Sequence, residues 1–440
     1  MERRLVKDLD DLRVQIGELP VEIPISEDLT PLANQVKVGK KATPNAIAVH
    51  PMEGADGTGE GSPAEFTFRR YKRFAAGGAG LVWTEAVAVV DEGRANPRQL
   101  FLHSGTKDEF RRLVEEIKQI AQEECGHEPL VIVQLTHSGR YSKPQGIPRP
   151  MIAYHNSYLD KASKLDEVDY VLVDDAYLDS LIDTFREAAA LAKEAGFDGV
   201  DIKCCHGYLF SELLSAYSRP GKYGTTYAGR TNLLREIVQK VKADHGDDLL
   251  VGVRLNLFDG LPKPDGWGAA EDGAVDFSEP EQLIKELTAD GVDIFNATAG
   301  NPYYQPHINR PYTSGGYNPP EPRLVGIARL LKLSQMMQEA AGSIPVVGVG
   351  FSYLRTAGPQ VAAAAVQNGA IQIAGFGRLS FANPNFANDI LKNGKLNPDE
   401  VCTACSGCTK LMRAGQITGC IVRDDYYRDL WRRLSREGKI

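Results

Sequence analysis

The chain has 440 residues, with 50 Lys and Arg against 58 Asp and Glu, giving a formal net charge of −8. Hydrophobic residues at 42% and charged residues at 25% are ordinary globular values, which exclude a mainly disordered chain, a collagen and a coiled-coil rod. The acidic balance argues against a nucleic-acid backbone as partner, and no apolar run approaches the roughly 18 residues that span a bilayer.

The N-terminus, MERRLVKDLDDLRVQ, is charged throughout and lacks a signal-peptide core, so a soluble, cytoplasmic protein is expected. Residues 1–40 read as an extension that packs outside the main unit or at a subunit contact of a homo-oligomer. From about residue 41, short apolar runs alternate with longer amphipathic ones. The strand-like runs fall at 46–49, 80–84, 130–135, 199–203, 249–255, 293–297, 346–349 and 371–374. Most are continuous and rich in Val and Ile, which suits a parallel sheet buried on both faces. Helical patterns lie between them, such as 108–124 and 179–196, the latter closed by Gly196. Eight strand–helix pairs predict an α/β fold, a (β/α)8 TIM barrel over 41–395, with long loops extending it beyond the roughly 250 residues typical. An open doubly wound sheet would need G-x-G-x-x-G after an early strand, and none follows 46–49. Residues 396–440 read as a small cysteine-rich segment with a basic, aromatic tail.

A barrel carries its active site where strands end and the next loops begin. Those positions hold His50-Pro51-Met52-Glu53-Gly54, Glu85-Ala86, Gln134 to Arg140, Lys203-Cys204-Cys205-His206-Gly207-Tyr208 and Arg254-Leu255-Asn256. A long loop, ATAGNPYYQPHINRPY, follows strand six, and the last two strands end Gly348-Val349-Gly350 and Gly375-Phe376-Gly377-Arg378. Glycines there let backbone N–H groups approach a phosphate, and Arg378 could add a bidentate contact. Plain tight turns are the alternative.

The blocks TPNAIAVHPM, GGAGLVWTEA, QLTHSGR, HGYLFSELLSAYSRPGKYG, GVRL and GFGR, in that order, resemble the Old Yellow Enzyme family of FMN-dependent NAD(P)H:flavin oxidoreductases. The resemblance covers about residues 40–395 and implies FMN at the barrel mouth, with hydride passing through flavin N5 and NAD(P)H as a possible donor. By position, it assigns Pro51, Met52 and Ala86 to the isoalloxazine and Gln134 to its pyrimidine edge. It assigns Arg254 to the N1/C2 carbonyl end, where positive charge stabilises anionic reduced flavin, and Gly350, Gly377 and Arg378 to the phosphate. On the substrate side, His206 matches a family carbonyl-binding histidine. Lys203 stands where the family carries another histidine, a departure that could supply charge to a carboxylate or leave a buried amine with a lowered pKa. Tyr208 matches the general acid of the dienoyl-CoA reductase branch, its plain alternative being a packed aromatic. Tyr303, Tyr304 and His307 could close over a ligand, although loop aromatics usually pack. Cys204 and Cys205 point oppositely from a strand end and read as small buried residues.

Cys402, Cys405, Cys408 and Cys420 have gaps of two, two and eleven residues. Four such thiols can bind tetrahedral zinc or a [4Fe–4S] cluster, and the CxxCxxC run with one distant partner looks more like iron–sulfur. The resemblance agrees: the branch with 2,4-dienoyl-CoA reductase and trimethylamine dehydrogenase carries a [4Fe–4S] site directly after the barrel. Those relatives continue with FAD- and nucleotide-binding portions that do not follow here, so a separate redox partner such as a ferredoxin or flavoprotein is expected. The reaction expected is reduction of an activated C=C bond, with a proton from Tyr208 and with His206 and Lys203 polarising the conjugated carbonyl or carboxylate. Two rivals stand beside it: a dehydrogenase that oxidises an amine or alcohol C–H, and a non-catalytic electron-transfer subunit.

Overall fold

The computed structural model describes residues 5–440 and contains a closed barrel of eight parallel strands. They are β1 (Ile47–Val49), β2 (Leu81–Ala88), β3 (Leu130–Thr136), β4 (Gly199–Ile202), β5 (Leu250–Asn256), β6 (Ile294–Thr298), β7 (Val346–Gly348) and β8 (Ile373–Phe376). Each pairs with its sequence neighbours and β8 returns to β1, so no edge remains unpaired. All eight expected runs became barrel strands, with boundaries shifted by up to a few residues.

The surrounding helices are α1 (Glu65–Ala75), α2 (Lys107–Cys125), α3 (Asp175–Glu194), α4 (Tyr227–His245), α5 (Ser278–Ala289), α6 (Arg323–Ala341), α7 (Gly358–Gln367) and α8 (Phe386–Asn393). In α3 the Asp174 carboxylate caps the first turn by accepting from the Tyr177 N–H, and Leu178, Leu181, Ile182 and Phe185 form the buried stripe. α2 ends at Gly126, whose φ of 75° suits the left-handed cap.

Inside the barrel, Trp83, Ile132, Leu250 and Ile294 form one apolar cluster, joined from below by Val36 and Val38. Those two valines belong to an antiparallel hairpin, Val36–Val38 with Lys41–Thr43. The hairpin plugs the N-terminal end of the barrel, and Lys41 anchors it to Asp198 at 2.7 Å. Residue 40, the expected boundary, lies in the turn of this hairpin. Farther upstream, Arg355 and Thr356 donate to the carbonyls of Val6 and Lys7.

The cysteine-rich segment holds α9 (Gly407–Arg413) and α10 (Asp425–Arg436). It is stitched to the barrel rather than trailing from it. Asp424 caps α10 and receives Arg69 and Arg73 of α1 at 2.9 and 2.5 Å, and the Thr418 N–H donates to the Gly54 carbonyl at 2.7 Å. Leu411, Tyr427, Leu430 and Leu434 bury one face of the basic tail. Among the described residues no helix is long and apolar enough to cross a membrane.

Candidate active site

One cavity at the C-terminal mouth of the barrel, enclosing about 1250 Å³ with its opening included, brings together residues that the sequence scatters over more than 350 positions. Pro51, Met52, Ala86, Gln134, Arg254, Gly350, Gly377 and Arg378 line it, as do Lys203, His206 and Tyr208. Cys408 also reaches it; Cys402, Cys405 and Cys420 do not. Of the loop after β6, Tyr303 lines the cavity whereas Tyr304 and His307 lie outside it, with His307 turned toward Tyr317 at 2.5 Å.

The floor is held by Asp201, a buried carboxylate on β4. It accepts from Gln134 Nε2 at 2.6 Å, Trp83 Nε1 at 2.9 Å and the Arg254 backbone N–H at 2.7 Å. Burial pushes its pKa up to about 6, against the pull of those three donors. The turn after β1 is pinned in a similar way. Glu85 Oε2 accepts from the Gly54 N–H at 2.8 Å, and Arg70 bridges Glu85 and Asp56 at 2.5 and 3.0 Å.

Charge in the cavity is lopsided. Lys203, Arg254, Arg310, Arg378 and Arg413 line it against one carboxylate, Glu53. Arg254 Nε, Arg310 Nη1 and Arg378 Nη1 are buried nitrogens without a protein acceptor, and burial, then repulsion from Arg378 and Arg413, brings the Arg310 pKa down to about 10. A buried donor without a partner is costly unless a ligand completes it. Gly350, at φ 111°, holds a backbone conformation that favours glycine, and a Cβ there would meet Ile327 and Leu330 at an ordinary 3.8 Å. A cradle with unpaired cations fits an elongated anion carrying a phosphate, so these residues fit FMN.

The β4 exit carries the most distorted backbone of the site. His206 and Gly207 have φ of 68° and 69°, and a side chain on Gly207 would come within 2.3 Å of Asn301 Nδ2. A histidine held in the left-handed region is a strain that persists only where its surroundings impose it. Here the double turn brings Tyr208 back over the cavity. Burial and the positive charges of Arg254 and Lys203 keep the His206 pKa well below the ordinary value, so the ring is neutral. Tyr208 is 3% exposed; its hydroxyl lies 3.0 Å from that of Tyr303, whose ring stacks on Tyr141 at 3.8 Å. Lys203 Nζ lies 3.8 Å from the centre of the Tyr208 ring.

Sequence reasoning missed Asp201, Arg413 and Tyr141, and it placed Glu53 and Arg310 only within mouth segments, without a role. Asp201 had a signal, a lone acid inside an apolar strand that must be buried on both faces. Arg413 had none, because only the closing of the C-terminal segment over the mouth brings it in.

All seven cysteines are free thiols. The Ala404 N–H points at Cys402 Sγ at 3.3 Å and the Arg423 N–H at Cys420 Sγ at 3.4 Å. Ala404 and Ser406 adopt φ of 52° and 60°, curling the loop between the first three cysteines. Among the described residues no three His, Cys, Asp or Glu side chains are placed to hold a metal ion.

The sequence profile of the NADH:flavin oxidoreductase / NADH oxidase family matches residues 31–397. The chain is 29% identical over 245 residues to the NADPH dehydrogenase of Halalkalibacterium halodurans, a stretch covering 55% of this chain and 64% of that protein. It is 25% identical over 419 residues to the metal reductase of Desulforamulus reducens, covering 93% of this chain and 56% of that protein. Less than two-thirds of either relative's length is thus represented. In three dimensions it resembles a 2-naphthoyl-CoA reductase (TM-score 0.73, 21% identity, 92% of this chain and 58% of the other). It also resembles the Old Yellow Enzyme homologue of Zymomonas mobilis (TM-score 0.62, 20% identity, 84% and 94%).

Proposed function

The chain belongs to the NADH:flavin oxidoreductase / NADH oxidase family, and from that premise we propose that it is an FMN-dependent enzyme reducing a C=C bond conjugated to a carbonyl. The observation that carries the reading is the shared cavity: the anion-fitting wall of Gln134, Arg254, Gly350 and Arg378 faces the buried hydroxyl of Tyr208. FMN held there supplies hydride chemistry at its N5. The protein does the rest. Arg378 and the Gly350 and Gly377 turns hold the phosphate, while Gln134 and Arg254 fix the pyrimidine edge. His206, neutral, is a hydrogen-bond donor for the substrate carbonyl, and Tyr208 Oη carries the proton for the substrate carbon. The named relatives point to NADPH as the donor.

We assign Cys402, Cys405, Cys408 and Cys420 to a [4Fe–4S] cluster rather than to zinc. Three cysteines at two-residue spacing with one distant partner favour a [4Fe–4S] cluster over the paired CxxC motifs usual for zinc. The free thiols and the N–H groups aimed at Cys402 and Cys420 suit cluster ligation. Such a cluster supplies one-electron transfer. Cys408 faces the cavity while Cys405 and Cys420 are half-exposed, a disposition suited to exchange with a separate redox protein. Free thiols also suit a reducing, cytoplasmic setting.

The test is anaerobic purification with flavin, iron, sulfide and zinc analysis, then mixing of reduced protein with 2-cyclohexenone. FMN with about four irons per chain, and reoxidation by the enone, is the expected result. Absence of flavin from folded, reconstituted protein overturns the reading. Flavin with one zinc overturns the cluster assignment alone, and rapid flavin reduction by NADPH that is unchanged by cluster removal overturns the separate partner.

A further inference from the structure

Lys203 departs from the family pattern, and its surroundings give the departure a use. It follows β4 directly and is 5% exposed, with its amine inside the cavity. The group its amine meets is the face of Tyr208, 3.8 Å from ring centre, well inside cation–π range. Tyr208 is otherwise badly placed to lose a proton. It is buried, Glu53 faces it from the turn after β1, and Tyr303 and Tyr141 approach from the loops after β6 and β3. Ser138 beside it pulls the other way, toward the phenolate.

We propose that Lys203 acts through Tyr208 rather than on the substrate: its ammonium is the positioning charge that stabilises the phenolate formed when Tyr208 protonates the substrate carbon. This rests on the ene-reduction reading above. In the step, the Tyr208 O–H bond breaks and a C–H bond forms at the carbon bearing the electron pair left after hydride addition from reduced flavin. The O–H electrons stay on Tyr208, and the phenolate recovers a proton from water, for which the Tyr303 hydroxyl at 3.0 Å is the adjacent relay. A cation over the ring stabilises the phenolate more than the phenol, so it speeds the forward proton transfer.

The charge on Lys203 is itself conditional. Burial and Arg254 lower its pKa, while Cys205, Glu53 and Asp201 raise it. The ammonium is therefore lost at a pH below the ordinary lysine range, and Tyr208 loses its help as pH rises through that point. An arginine would keep its charge throughout.

The experiment is a double-mutant cycle on reoxidation of reduced holoenzyme by 2-cyclohexenone, with pH profiles and solvent deuterium isotope effects. K203M should slow reoxidation about tenfold, the effect of one unit in the acidity of Tyr208, and raise the isotope effect. K203R should recover most of the rate and move the alkaline limb upward. In a Y208F background K203M should cost nothing further. Equal losses from K203M in both backgrounds, or a K203R profile identical to wild type, overturn the proposal; thermal melts of K203R and K203M exclude misfolding as the cause. Wild-type holoenzyme that binds FMN but is not reoxidised by the enone overturns the parent reading and this one together, whereas additive losses in a competent enzyme overturn this one alone.

Discussion

Gln134 and Asp201 are direct partners across the β3–β4 ladder, and the glutamine amide donates to the aspartate carboxylate at 2.6 Å. The same carboxylate receives the Arg254 backbone N–H, so one buried acid sets both side chains expected at the pyrimidine edge of the flavin. It accepts three hydrogen bonds and has no acceptor to meet, a setting that an ionised carboxylate satisfies and an amide cannot. Asp201→Asn should therefore turn one N–H against another and let Gln134 swing. We expect FMN affinity to fall about tenfold, as for one lost buried hydrogen bond of about 1.4 kcal/mol, measured by fluorescence titration of apoprotein. Unchanged affinity would remove Asp201 from the site.

The phosphate assignment separates from the ring assignment by ligand choice. Arg378 and Arg310 carry buried, unpartnered Nη1 atoms on one side of the cavity. Arg378→Met should weaken FMN binding about 10- to 100-fold, a charge-assisted hydrogen bond's contribution, yet leave riboflavin affinity nearly unchanged. Equal weakening of both ligands would mean that Arg378 serves the fold or the ring instead.

How much of this was legible in the sequence depends on what kind of contact made it. The eight strands were readable because a parallel strand buried on both faces shows as a continuous apolar run, and Leu130–Thr136 and Leu250–Asn256 are such runs. The mouth residues followed because a barrel puts strand ends in one place. The plugging hairpin was not readable: Val36 and Val38 look like any short β pair until the barrel end they stop is known. Arg413 was equally hidden, since α9 reaches the cavity only through contacts such as Thr418 to Gly54 and Arg413 to Pro302.

Those contacts lean on the turn after β1, whose rigidity comes from a buried ion network. Arg70 is 5% exposed and joins Asp56 and Glu85, both also buried. Removing the cation leaves two carboxylates uncompensated, so Arg70→Met should destabilise the protein by about 3–5 kcal/mol, read as a lowered urea midpoint. With Asp56→Asn and Glu85→Gln added, much of that loss should return, because the stranded charges are gone. If the triple variant is no more stable than Arg70→Met, packing of the side chain rather than charge holds the turn.

His206 should work as a neutral hydrogen-bond donor, and pH tells this apart from an imidazolium. Burial and the nearby cations put its pKa well below 6.5, so protonation on the acid side begins only after the unfolded-state imidazole would already be charged. The neutral ring thus contributes stability above about pH 6.5, and that contribution is lost as pH falls toward the lowered folded value. For catalysis the consequence is a kcat/KM profile with no limb from His206 between about pH 6 and 8, around its reference pKa. An imidazolium acid would instead lose activity through that interval. His206→Asn keeps an N–H donor and tolerates φ 68° better than most residues, whereas His206→Ala loses the donor and pays about 1 kcal/mol for the backbone. Asparagine should therefore retain most of kcat/KM, and alanine should lose about tenfold or more. Equal losses in the two variants would show that the ring, not its N–H, is what the substrate needs.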